Sequence, residues 1–281
     1  MIATESLWRN CIFDFGQVGS MTIISRVGNK VVARLREVQY LLAVVATIAF
    51  LAVQPRHWTR TVRNVLARQI LFTGVEAVGL MVAIAILVGI SIVLQSQLWL
   101  AKVGQKALLG PLLVVTIVRE FAPTLANLVV IIRSASAVAA EIANMKLSGE
   151  VRVLDAQGLD PLVYLVMPRV VGMSICVFGL AIVFVVVSLV SGFLSGALLG
   201  TPINPGDFAN SVLGSIGLAD VINLLTKSIL PAAITAAICC IEGLGVGTAA
   251  TEIPRATSRG LERSVVGMFV TSAAVSLLTY L

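Results

Sequence analysis

From Val170 to Gly200 the chain carries no Asp, Glu, Lys or Arg. So long an apolar run suits a helix crossing a bilayer, whose hydrocarbon core is about 30 Å thick and needs roughly 20 apolar residues to span. Four further segments read the same way. Residues 69–95 hold only Glu76, residues 107–132 only Arg119 and Glu120, residues 221–247 only Lys227 and Glu242, and residues 264–281 no charge at all. Lipid offers backbone N–H and C=O groups no partner, so such segments must be helical or close into a barrel. Their length selects helices. The expected fold class is an all-α integral membrane protein with five transmembrane helices. The charged fraction of 12% agrees, against about 25% in soluble domains.

Residues 41–53, LLAVVATIAFLAV, are apolar but too short for an ordinary span. Arg26, Lys30, Arg34 and Arg36 precede the run, and Arg56, Arg60, Arg63 and Arg68 follow it. Residues 1–68 are therefore expected to form an N-terminal interfacial region, and residues 69–281 the five-span domain. The sequence shows no signal-peptide pattern at its start, because Glu5, Arg9 and Asp14 interrupt it. Lys and Arg crowd the region before the first span, the 133–169 connection and the 248–263 connection, and are absent from residues 201–220. By the positive-inside rule the N-terminus is expected inside and the C-terminus outside. A bacterial inner membrane is the simplest location.

Several chemistries are disfavoured. No GxxxxGK[ST] run is present to cradle nucleotide phosphates. The single histidine, His57, lies in a basic patch, so no Ser/His/Asp set can be assembled. Cys11, Cys176, Cys239 and Cys240 have no metal-binding spacing and read as small apolar residues. The net charge of +6 fits membrane topology better than nucleic-acid binding, since no basic, aromatic-interleaved surface segment exists. Gly192, Gly196 and Gly200 recur every four residues, a flat face for close helix contact.

The most polar connection is residues 133–161. Val138, Ile142 and Met145 make one apolar stripe at helical spacing, and Leu147, Val151 and Leu154 a second. Lys146 with Glu150, and Arg152 with Asp155, can pair on a helix surface. Gly149 is expected to break or bend the helix and Gly158 to end it. The spacing allows a helix of about 136–158 that docks a partner, or one that packs on the floor of its own bundle.

The ordered residues Arg119-Glu120-Phe121-Ala122-Pro123, Arg133, Ser136, Ala140-Glu141, Met145, Asp160-Pro161 and Pro168-Arg169 resemble the MlaE/YrbE family of ABC-transporter permeases. Gly243, Gly245, Gly247 and Arg255 to Ser258 resemble that family's loop before its last span. The resemblance implies a dimeric permease for phospholipid or another hydrophobic molecule. It implies a cytoplasmic ABC ATPase, which holds ATP and Mg, and a periplasmic MCE-domain protein. This chain itself would bind no cofactor. Ser136, Glu141, Met145, Gly149, Glu150 and Leu154 would belong to a coupling helix, and Ile92, Gln95 and Leu100 to the substrate chamber. The sequence departs from the family pattern at Ile132, Ala135, Ala143, the Gly149-Glu150 pair and Thr271. A scaffold, a secondary transporter and an intramembrane enzyme remain the competing classes.

Arg119 and Glu120 lie inside an expected span, where an Arg costs about 2.5–3.5 kcal/mol to insert. They can line a cavity that meets lipid headgroups, or make ion pairs that hold spans together. Glu76 and Lys227 are expected to snorkel to the interfaces. Glu242 is expected to be solvated.

Overall fold

The computed structural model describes Gln39 and residues 41–52, 54, 58–104, 108–198, 205–247 and 249–280. The expectations for residues 1–38, for His57, for Gly200 and for the 201–204 turn lie outside them. All regular structure among the described residues is helical. We number the helices α1 (Leu41–Ala52), α2 (Arg60–Leu100), α3 (Leu109–Leu147), α4 (Glu150–Ala156), α5 (Leu162–Leu198), α6 (Pro205–Ser215), α7 (Leu218–Leu244) and α8 (Ala250–Thr279). Five of these, α2, α3, α5, α7 and α8, are long and apolar enough to cross a membrane. The chain is a multi-pass membrane protein.

Short connections make successive spans antiparallel, so α3 and α7 run in the same direction. One end of the bundle collects the α3–α5 and α7–α8 connections; it carries Lys146, Arg152, Arg169, Arg255, Arg259 and Arg263. We call it the basic end. α7 is the central span, packed against α3, α5 and α8. Ala232, Ala233, Ala236, Ala237, Cys239 and Cys240 are all buried there. Small side chains let four helices approach one axis, and in lipid that close packing replaces the hydrophobic drive between helices. Cys176 is buried too, so all three described cysteines are free core residues.

A tight seam joins α2 to α5. A Cβ on Gly89 would strike the Ser188 backbone, one on Gly192 the Val93 side chain, and one on Gly196 the Gln97 amide. The glycine spacing thus works within the chain, at Gly192 and Gly196.

Two sequence expectations shift. The second span was expected to end at residue 132, with a separate loop helix after it. Instead α3 continues through Arg133 to Leu147. Arg133 is tolerated because its guanidinium reaches the Glu76 carboxylate at 2.8 Å and the Glu76 carbonyl on α2. Val138, Ala139, Ile142 and Ala143 then bury one face of the extension. The break comes at Gly149, whose φ of 81° suits glycine best, and Gly158 follows with φ of 73°. Likewise the first span begins at Arg60, since Thr59 caps the helix by accepting from the Val62 N–H. Hydropathy marks the lipid-facing middle of a helix and misses its charged ends.

α2, α3 and α5 also contain wide π-helical turns, at Leu71–Val75, Val114–Phe121, Ile131–Ala135 and Leu162–Val166. Such turns re-aim side chains within a helix and recur at functional sites. Arg119 and Glu120 both lie on the second of them.

Packing at the α2–α5 seam yields a direct test. Gly89→Ala and Gly192→Ala should each destabilise the protein by about 1–3 kcal/mol, the usual range for overpacking. Gly79→Ala, with nothing within 4 Å of its Cβ, should be neutral or stabilising. Thermal unfolding in detergent checks the order; equal effects at all three positions would contradict the seam.

Candidate functional site

Two prolines set the chemistry between α3 and α7. Pro123 has no N–H to offer the Arg119 carbonyl four residues earlier, and Pro231 has none for the Lys227 carbonyl. In a membrane each freed carbonyl needs another donor. Each helix supplies it to the other. The Lys227 ammonium donates to the Arg119 carbonyl at 3.2 Å, and the Asn127 amide donates to the Lys227 carbonyl at 3.1 Å. The same amide donates to the Pro123 carbonyl at 2.8 Å.

Charge follows the same exchange. Lys227 Nζ lies 2.6 Å from Glu120 Oε1, and Arg119 Nε pairs with Asp220 Oδ1. The other Asp220 oxygen accepts from the Gly217 N–H at 2.8 Å, so one carboxylate closes the first turn of α7 and neutralises Arg119. Ser276 of α8 donates to Glu120 at 3.2 Å. Lys227 is 1% exposed and Asp220 2%. The Glu120 side chain is 41% exposed. The cluster therefore has two buried members, on α7, and an accessible carboxylate on α3. Of the two sequence alternatives for Arg119 and Glu120, the geometry realises interhelical ion pairs, with Glu120 still reachable from outside the fold.

Lys227 corrects the snorkelling expectation. Its partners Glu120 and the Arg119 carbonyl lie within reach, so the ammonium stays inside. Glu76 pairs with Arg133. Glu242 is also corrected: its side chain is only 11% exposed and meets Arg263 at 2.5 Å and Arg259 at 3.7 Å. Those arginines sit four apart on α8 and clamp the end of α7 to it.

The basic end carries the other candidate residues. Arg169, 2% exposed at the start of α5, reaches Glu141 at 3.0 Å, the Met145 sulfur at 3.8 Å and the Leu165 carbonyl at 2.9 Å. So Glu141 and Met145 are brought together on one buried arginine. Ser136 is half-buried farther up α3. Lys146 donates to the Leu244 carbonyl at 2.5 Å, tying the end of α3 to the end of α7. Beyond Gly149 the chain turns into α4, none of whose residues is buried. Glu150 is exposed and within 3.2 Å of the Ser148 hydroxyl; Leu154 is half-buried and Val153 exposed. The residues expected on one coupling helix thus divide. Ser136, Glu141 and Met145 lie on the packed end of a span, whereas Glu150 and Leu154 lie on a short free helix.

Ile92, Gln95 and Leu100 lie along α2. Ile92 and Leu100 pack against the core, while Gln95 is exposed and donates to the Ser91 hydroxyl at 3.4 Å. The ion pairs of Arg119 and Glu120 run instead to α7. Asp220, Asn127 and Arg169 were not singled out by sequence reasoning as partners. The four-residue spacings Arg119–Pro123 and Lys227–Pro231 were visible and point to carbonyls needing donors; nothing in the sequence says which helix provides them.

A model of the permease MlaE family matches residues 66–278, most of the chain. The chain belongs to the MlaE permease family. A probable ABC transporter permease of Rickettsia typhi is 28% identical over 217 residues, covering 77% of this chain and 83% of its own length. A probable ABC transporter permease of Synechocystis is 30% identical over 218 residues, with 78% and 82% covered. The intermembrane phospholipid transport system permease protein MlaE of Haemophilus influenzae is 25% identical over 198 residues, with 69% and 74% covered. As an MlaE-family permease, the chain is a membrane subunit of an ABC-type transporter. The matched region includes both the α3–α7 cluster and the basic end.

Coupling within the Glu120–Lys227 pair gives a test. Glu120→Ala removes the countercharge of a buried ammonium and should cost about 3 kcal/mol, the lower part of the range for breaking a buried pair. Lys227→Met leaves a carboxylate that can turn outward but also strips the Arg119 carbonyl of its donor, so it should be destabilising too. The double variant should cost less than the sum of the two, since each single variant leaves one partner behind. Unfolding midpoints of the three variants check this; costs that simply add would contradict it.

Proposed function

We propose that this permease moves phospholipid or a similar hydrophobic molecule between a bacterial inner membrane and the periplasmic side, driven by a separate cytoplasmic ABC ATPase. The observation that carries the proposal is α4. This helix projects past the end of α3, is set off by Gly149, buries none of its residues and offers Val153 beside Glu150 and Arg152. A short, unburied, mixed apolar and charged helix at a membrane boundary suits a docking element. Movement of α4 would reach the spans through α3, and from there α5 by Arg169 and α7 by Lys146.

In this reading the basic end is cytoplasmic, with the N-terminus inside and the C-terminus outside. ATP and Mg are held by the ATPase. Two copies of this chain, or this chain and a relative, enclose the chamber, and an MCE-domain protein meets its periplasmic side. Ile92, Gln95 and Leu100 line that chamber, and Glu120 reaches it from α3. The name of the Haemophilus relative supports phospholipid as cargo. ATP-driven closure of the ATPases moves α4 inward, and the chamber narrows and releases its lipid.

Substituting Val153→Glu with Glu150→Lys should leave the unfolding midpoint unchanged, since neither side chain is buried. It should reduce the ATPase retained on the tagged permease several-fold. Undiminished ATPase retention by this folded variant would sink the assignment of α4.

A further inference from the structure

On α3 and α7, around the ion pairs, are buried polar atoms that those pairs leave unused. Asn223 lies on α7 between Asp220 and Lys227, one helical turn from each, and is 2% exposed. Neither its amide oxygen nor its amide nitrogen has a partner within the protein. Asn127, 1% exposed, uses its amide nitrogen twice but leaves its oxygen unpaired. The Ser228 hydroxyl, next to Lys227, is unpaired as well. Lys227 itself has three N–H donors, of which the Arg119 carbonyl and Glu120 take two.

Unpaired amides are costly in such a place, and native interiors resolve them with bound water. A buried water makes about three hydrogen bonds and needs both donors and acceptors around it. This cluster has both. Residues four apart on a helix face the same side with Cβ atoms about 5–6 Å apart, a gap that one water bridges and that the two side chains here do not close directly.

We propose that Asn223 holds bound water against Lys227, one turn away on the same helix, forming an internal hydration site beside the α3–α7 ion pairs. The water gives the Lys227 ammonium a third partner and satisfies the Asn223 amide. It also leaves Lys227 a polar partner when Glu120, the exposed member of the pair, turns away. That last consequence rests on the transport reading; the hydration site does not.

Radiolytic hydroxyl-radical footprinting of the full chain in lipid nanodiscs tests it, because activated internal water oxidises side chains that bulk solvent cannot reach. Leu224 beside Asn223, 9% exposed, is the probe, and Ile234 farther along the same helix, 7% exposed, is the matched control. Leu224 should be modified several-fold faster than Ile234, and Asn223→Leu should abolish the difference. The same variant should lower the unfolding midpoint, as it removes a hydrated partner of Lys227. Equal modification of the two side chains would overturn the proposal, as would a rise in the midpoint, which is what replacing a dry, unpaired amide with an apolar side chain gives. Neither readout depends on transport, so a failed transport assay leaves this test intact.

Discussion

A membrane interior tolerates no unpaired backbone carbonyl, and the structure between α3 and α7 is organised around two of them. Pro123 and Pro231 each free a carbonyl on their own helix, and the opposite helix answers with Lys227 and Asn127. The exchange locks two parallel spans in register. It also places a lysine and an aspartate of α7 beside the arginine and glutamate of α3. Four charges that would each resist insertion become two pairs. A proline that would weaken an isolated helix here specifies which helix it must lie beside.

The lock is asymmetric. α7 is central and holds its charges buried, whereas α3 presents Glu120 outward from a wide π-helical turn. The other end of α3 ends at Gly149 and gives way to the unburied α4. One span therefore joins an accessible carboxylate in the membrane to a free helix at the basic end. Arg169 and Lys146 tie that end of α3 to α5 and α7.

Five spans, their order and the break at Gly149 were legible in the sequence, because each depends on local composition or on one residue's backbone freedom. The true length of α3 was not. Arg133 looks like the end of a span until Glu76, distant in sequence, is placed beside it. Lys227 and Glu242 failed for the same reason. A lone charge in an apolar run reads as snorkelling or solvated, and only the fold shows Glu120 next to one and two arginines of α8 next to the other. Arg119 and Glu120 announced themselves by their cost, but the choice of α7 as partner is a tertiary fact. The 136–158 segment read as one helix because its apolar positions continue across Gly149; burial separates them, with Val138 and Ile142 buried in the bundle and Val151 and Leu154 beyond Gly149 only half-buried.

Native mass spectrometry of the complex purified through this subunit in mild detergent is the most direct test of the transport account. The account predicts two permease copies, a bound nucleotide-binding subunit and an additional mass matching a phospholipid or another hydrophobic molecule. A lone permease with neither ATPase nor lipid attached would contradict it.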